Sequence, residues 1–152
     1  MPYSFLDRPL REYLDGTAAK QPCPGGGSVA ACMAALSACL VSMVIRFTLG
    51  KKAYRQHEET NRRLLQENEK IRCECISLIE EDSNLYERIT SATQEDAQQL
   101  LKESAMMHRT LAGYAMRILH ISRVLLETGS RNLVSDTAIA AVTAAAAFDA
   151  AR

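Results

Sequence analysis

The sequence has no excess of charge of either sign: 18 Lys and Arg stand against 18 Asp and Glu, a formal net charge of zero. No global field is therefore available to draw in nucleic acid or an acidic membrane, and neither is expected as a partner. It also lacks a secretory leader and an even-numbered cysteine framework. The five cysteines, Cys23, Cys32, Cys39, Cys73 and Cys75, read as reduced thiols of a cytoplasmic protein. On a helix Cys73 and Cys75 lie about 200° apart, which turns them away from a common metal ion, and no structural metal is expected. No stretch alternates convincingly as a strand, no fixed period repeats, and no segment is of low complexity, so sheet, solenoid and disordered classes fall away.

What is present suits one domain spanning residues 1–152. Hydrophobic residues make up 47% and charged residues 24% of the 152, enough to bury a real core. Residues 29–45 carry no charge, a length at the lower limit for a bilayer. They are rich in Ala, Cys and Ser and poor in Leu and Phe, the composition of a buried central helix rather than a membrane span.

Punctuation divides the chain. A short helix is expected over residues 9–19, with Asp7 before Pro9 and with Leu10, Tyr13 and Leu14 on one side. The segment 21–27 (QPCPGGG) breaks it, and Ser28 stands as N-cap of an all-round apolar helix reaching about Thr48. Gly50 ends that helix. Residues 51–89 then read as one long charged helix, whose stripe Leu64, Asn68, Ile71, Cys75, Leu78, Asp82, Tyr86 and Ile89 steps by four and three. Thr93 with Asp96 resembles a capping box opening a fourth helix, which stops at Gly129. After a loop at 130–134, Ser135 and Asp136 precede an alanine-rich helix over 137–151. The fold class is an all-α bundle of about five helices, and helices apolar on several sides point to a dimer.

Four places can carry chemistry. The loop Gly25, Gly26, Gly27 and Ser28 at a helix N-terminus favours an anion, although taken alone a tight turn between packed helices explains it more readily; no Gly-Lys-Ser/Thr closes it as a phosphate loop. Asp82 lies on an interior stripe, so it must be paired or hydrogen-bonded, or its pKa must rise, and either state can serve proton transfer. Asp136 can cap the last helix or serve a site. Lys51 and Lys52, just beyond Gly50, can hold a carboxylated ligand or simply face water. His108, on a face with Leu101, Leu111, Ala112 and Ala115, reads as a hydrogen-bonded core histidine. Met106 and Met107 read as core filler.

Together, PCPGGGSVAA (22–31), MVIRFTLGKKAY (43–54), IEEDSNLYERI (79–89) and SDTAIAAV (135–142) resemble the formiminotetrahydrofolate cyclodeaminase and methenyltetrahydrofolate cyclohydrolase family. The resemblance implies an all-α, dimeric folate one-carbon enzyme with a tetrahydrofolate derivative as substrate and no further cofactor. Both reactions pass through a tetrahedral carbon between two nitrogens, which needs a placed proton donor and acceptor. Carried over residue by residue, it implies Asp82 and Asp136 as catalytic acids, and Gly25, Gly26, Gly27, Ser28, Lys51, Lys52 and Ser135 as substrate-binding residues. A helical folate-binding or interaction protein without catalysis is the alternative. The sequence departs from the family at Ala53, lacks a proline expected near residues 107–111, and lacks the further helical segment that relatives carry beyond the Ser-Asp helix.

Overall fold

The computed structural model describes residues 4–152 and contains five α-helices: α1 (Leu10–Ala18), α2 (Gly26–Thr48), α3 (Glu58–Ser91), α4 (Gln94–Thr128) and α5 (Val134–Ala151). There is no strand among the described residues, and two short 3-10 turns, Lys52–His57 and Arg131–Leu133, lead into α3 and α5. The helix α2 is central, packed by α3, α4 and α5. Its small side chains explain this: Ala30, Ala34 and Ala38 are fully buried and leave no ridge to hold neighbouring backbones apart. Ser37 Oγ donates to the Ala140 carbonyl of α5 at 2.6 Å, and Asn68 Nδ2 of α3 donates to the Ala38 carbonyl at 2.7 Å and to Ser42 Oγ at 2.8 Å. Successive helices run antiparallel, so Ser28 meets Asp82, and Asn61 donates to the Thr128 carbonyl at 3.0 Å. By length and composition both α2 and the segment Arg131–Ala151 could cross a bilayer. In this fold α2 is the core helix, whereas α5 turns Ile139 and Val142 outward.

The stop signals act as their chemistry requires. Gly50 takes φ 77°, a backbone conformation that suits glycine. Gly129 caps α4 for a different reason: a Cβ there would lie 2.6 Å from the Leu125 carbonyl oxygen. Thr93 caps α4, accepting from the Asp96 N–H at 3.3 Å while its hydroxyl donates to Asp96 Oδ2 at 2.7 Å. Cys75 is buried and Cys73 exposed, as their helical offset dictates, and burial pushes the Cys75 thiol up to about 12.

Several boundaries differ from expectation. Ser28 is not the N-cap of α2; Gly25 is, without a side-chain bond, and Ser28 is the third helical residue. Residues 52–57 form a 3-10 turn instead of opening α3. Ser135 and Asp136 lie inside the first turn of α5, because the preceding 3-10 turn already supplies helical backbone. Leu10 and Leu14 are exposed, and only Tyr13 of α1 is buried. The α3 stripe holds from Leu64 to Leu78 and then passes to Ser83 and Leu85, leaving Tyr86 exposed. Met107 is core, Met106 is not.

Glu69 of α3 forms the densest ionic cluster. It accepts from Arg72 Nη2 at 2.9 Å and from the buried Ser42 hydroxyl, with Arg46 Nη2 at 3.2 Å. The Arg72 hydrogen bond, with Ser42 and Arg46, holds its carboxyl down at about 2. A lowered carboxyl pKa stabilises the fold above the ordinary value, and that contribution is lost as pH falls through the folded value. Glu69→Gln should therefore be less stable than the parent in urea at pH 7, with the difference shrinking as pH falls from about 4.5 to about 2. A difference constant with pH would show that the charge of Glu69 contributes nothing.

Candidate active site

The first turn of α2 needs acceptors for N–H groups that have no partner within the helix, and its N-cap glycine offers no side chain. Asp82 supplies one from the neighbouring helix: its Oδ2 accepts from the Ser28 N–H at 2.9 Å. The positive end of the helix dipole accounts for a carboxylate whose side chain is only 17% exposed without a Lys or Arg beside it. Asp82 thus places one anionic group of the chain itself at the glycine loop. Ser28 contributes its backbone, since its hydroxyl is buried against Tyr13 OH at 3.1 Å. Burial pushes the Tyr13 phenol up, opposed by that hydrogen bond.

Gly27 is required by proximity. A Cβ at this position would sit 2.1 Å from Asp82 Oδ1 and 2.8 Å from His108 Nε2, whereas a Cβ on Gly26 meets nothing within 4 Å. His108 Nε2 lies 3.8 Å from Asp82 Oδ1, and its Nδ1 is 2.9 Å from the Ser104 carbonyl one turn back on α4. An adjoining cleft of about 330 Å³ is lined by Gly25, Gly26, Gly27, Asp82, Tyr86 and Ser104 among others. An anchored carboxylate lining a cleft, with an imidazole 3.8 Å from it, gives what acid-base chemistry at a small centre needs. No group of three or more His, Cys, Asp or Glu side chains able to hold a metal occurs among the described residues.

The remaining expected residues lie elsewhere. Lys51 and Lys52 follow the opposite end of α2, which at 23 residues is about 33 Å long. There Lys51 Nζ donates to Ser130 Oγ at 3.4 Å. The Arg131 N–H donates to Tyr54 OH at 2.9 Å and holds that phenol below its usual range. A second open cleft is lined by Gly50, Lys51, Lys52, Arg55 and Glu58. Ser135 is exposed and Asp136 half-buried in the first turn of α5. They belong to this end, because Ala140, further along α5, already lies against Ser37 in mid-α2. Within one protomer, then, Gly25, Gly26, Gly27 and Ser28 join Asp82, while Lys51, Lys52, Ser135 and Asp136 form a separate group.

His108 is the residue that sequence reasoning passed over. It is not a fully buried core histidine: its side chain is 30% exposed, and the buried stripe of α4 runs through Leu100, Met107, Leu111, Ala115 and Ile118. Leu101, placed beside it in the expected face, is exposed. The Ser104 to His108 spacing of one turn was readable, but the register bringing α4 against Asp82 was not.

Comparison with known proteins bears on the family and the fold. The family described as formiminotransferase-cyclodeaminase matches residues 9–152. A methenyltetrahydrofolate cyclohydrolase of Methylorubrum extorquens is 28% identical over 148 residues, 89% of this chain and 71% of that protein. The formimidoyltransferase-cyclodeaminase of Rattus norvegicus is 29% identical over 91% of this chain, which spans 28% of that longer protein. The solved formiminotetrahydrofolate cyclodeaminase of Thermotoga maritima superposes with a TM-score of 0.91 at 29% identity, covering 97% of this chain and 76% of that one. With the glycine turn, Asp82 and the helix order in place, the chain belongs to the formiminotransferase-cyclodeaminase family.

Proposed function

We propose that the chain is a folate one-carbon enzyme working by acid-base catalysis at the carbon between two nitrogens of a tetrahydrofolate derivative. It acts as a formiminotetrahydrofolate cyclodeaminase or a methenyltetrahydrofolate cyclohydrolase. The observation that carries the reading is Asp82, fixed by the Ser28 N–H at the end of α2 and set against Gly27 beside an open cleft. Asp82 transfers the proton; Asp136 assists or holds the pterin; Gly25, Gly26, Gly27 and Ser28 shape the cleft; Lys51, Lys52 and Ser135 meet the polar groups of the folate. The enzyme is cytoplasmic and needs no cofactor beyond its substrate.

The test uses purified chain with each folate in turn, followed by the near-ultraviolet absorbance of the methenyl bridge. A cyclohydrolase removes that absorbance from methenyltetrahydrofolate faster than the spontaneous reaction. A cyclodeaminase builds it from formiminotetrahydrofolate and releases ammonia. Failure with both substrates sinks the reading.

The reading includes a homodimer. An apolar cleft of about 520 Å³ between α4 and α5 is lined by Met116, Leu119, Leu126, Ala141 and Val142 among others. Val142 (70% exposed) lines this cleft with Leu126, and Ile139 on the same helix is 55% exposed, a surface suited to a second copy. A two-fold axis across the helices sets the glycine-loop end of one protomer against the Lys51 and Asp136 end of the other. Such a pairing unites residues that lie at opposite ends of α2 in one chain. Asp82→Asn and Lys51→Ala, each impaired alone, should on refolding as a mixture recover about a quarter of parental activity, because half of the dimers then hold one intact site of two. No recovery, or full activity in a species with the mass of one chain, would remove the shared site.

A further inference from the structure

His108 stands outside everything the family resemblance carries over, yet its ring is held in a defined way. The Ser104 carbonyl 2.9 Å from Nδ1 can only accept, so Nδ1 carries a proton and Nε2, on the Asp82 side, is the ring nitrogen left to exchange one. The separation of 3.8 Å from Nε2 to Asp82 Oδ1 is too long for a direct hydrogen bond. Here the neighbouring residue is Gly27, and any side chain there would strike both groups.

We propose that His108 is the second proton-transfer group of this site, paired with Asp82 where both pack against Gly27. The proposal rests on the folate-bridge reading above. As the attacking O–H or N–H group bonds to the bridge carbon, its proton passes to Nε2 and the π pair of the cationic C=N⁺ bond (the methenyl bridge, or the protonated formimino group) moves onto its nitrogen, which becomes neutral. On collapse the imidazolium returns that proton to the departing nitrogen, which leaves with the electrons of its C–N bond. A lone pair on the remaining heteroatom re-forms the double bond. When that heteroatom is the added oxygen, its remaining proton passes to the Asp82 carboxylate and from there to water. Asp82, already held by the Ser28 N–H through its other oxygen, faces the imidazolium while it is charged.

The test measures His108→Gln and His108→Ala beside the parent with both folates. His108→Gln should lower kcat by roughly 10²–10³-fold while KM stays within about threefold and the melting temperature holds. His108→Ala should regain part of its activity in added imidazole, above the rate imidazole gives without protein. In the double variant with Asp82→Asn, the loss should be little greater than that of the worse single change, since the two groups act as a unit. A His108→Gln enzyme within about threefold of parental kcat overturns the proposal. So does a His108→Ala deficit that imidazole leaves untouched. A parent that turns over neither folate defeats the underlying reading first, and this proposal with it.

Discussion

Gly27→Ala should lose at least about 10²-fold in turnover, whereas Gly26→Ala, which only adds a methyl group beside the cleft, should lose far less. The contrast is sharp because the two glycines are neighbours in the same first turn of α2 and differ only in what faces them. A methyl group on Gly27 would meet Asp82 Oδ1 at 2.1 Å and His108 Nε2 at 2.8 Å; on Gly26 it meets nothing within 4 Å. Alanine is otherwise the better helix residue by about 1 kcal/mol, so Gly26→Ala should raise the melting temperature slightly. Gly27→Ala should gain nothing, because Asp82 must leave the Ser28 N–H or the helix must shift. The paired measurement is kcat with both folates and a thermal melt for each variant. Equal activity in the two variants would mean that Asp82 and His108 need not lie as close as they do.

Asp82→Asn should cost roughly 10²–10⁴-fold in kcat with little change in folate affinity. Its amide oxygen can still accept from the Ser28 N–H, so the hydrogen bond to α2 survives. Only the favourable charge at the helix end is lost, about 0.3–1 kcal/mol. Asp82→Ala removes the acceptor as well and should cost about 1–3 kcal/mol more through the stranded N–H. A carboxylate that merely caps α2 predicts another pattern: both variants less stable, and turnover per folded molecule near normal. Calorimetry and kinetics on the pair separate the two, and parental kcat in Asp82→Asn would rule out proton transfer by this residue.

Much of the fold was readable because helix ends are written in local chemistry. Gly50, Thr93 with Asp96, and Gly129 each stop or start a helix where expected. The apolar run after the glycine loop became the core helix because its composition permits neighbours on every side. The misplaced caps share one cause: Ser28 and Asp136 are residue types that favour caps, but non-local partners and the preceding 3-10 turn moved the helix starts upstream. Asp82 was found because the stripe and the family motif both select it; its partner was not, because a backbone N–H from a helix more than fifty residues earlier leaves no mark in local sequence. His108 was hidden for the same reason. Periodicity tells which face of α4 is apolar, not which residue at its border meets α3. The division of the expected site between two ends of α2 follows from antiparallel packing and was also invisible in residue order.

The two buried asparagines of α3 set the phase of the whole bundle. An alanine-lined helix offers its neighbours a nearly smooth surface along which they could slide by a turn at small cost in apolar contact. Asn61 grips the Thr128 carbonyl, and Asn68 grips Ala38 and Ser42. A slip of one turn, about 5.4 Å, breaks all of these and strands both amides in a dry interior, a penalty of about 1–3 kcal/mol for each group left unpaired. Asp82 lies about four turns beyond Asn68 on the same rigid rod. The amides therefore act as detents that lock α3 lengthwise, and the ångström-scale alignment of carboxylate, glycine and imidazole is inherited from two side chains remote from the cleft.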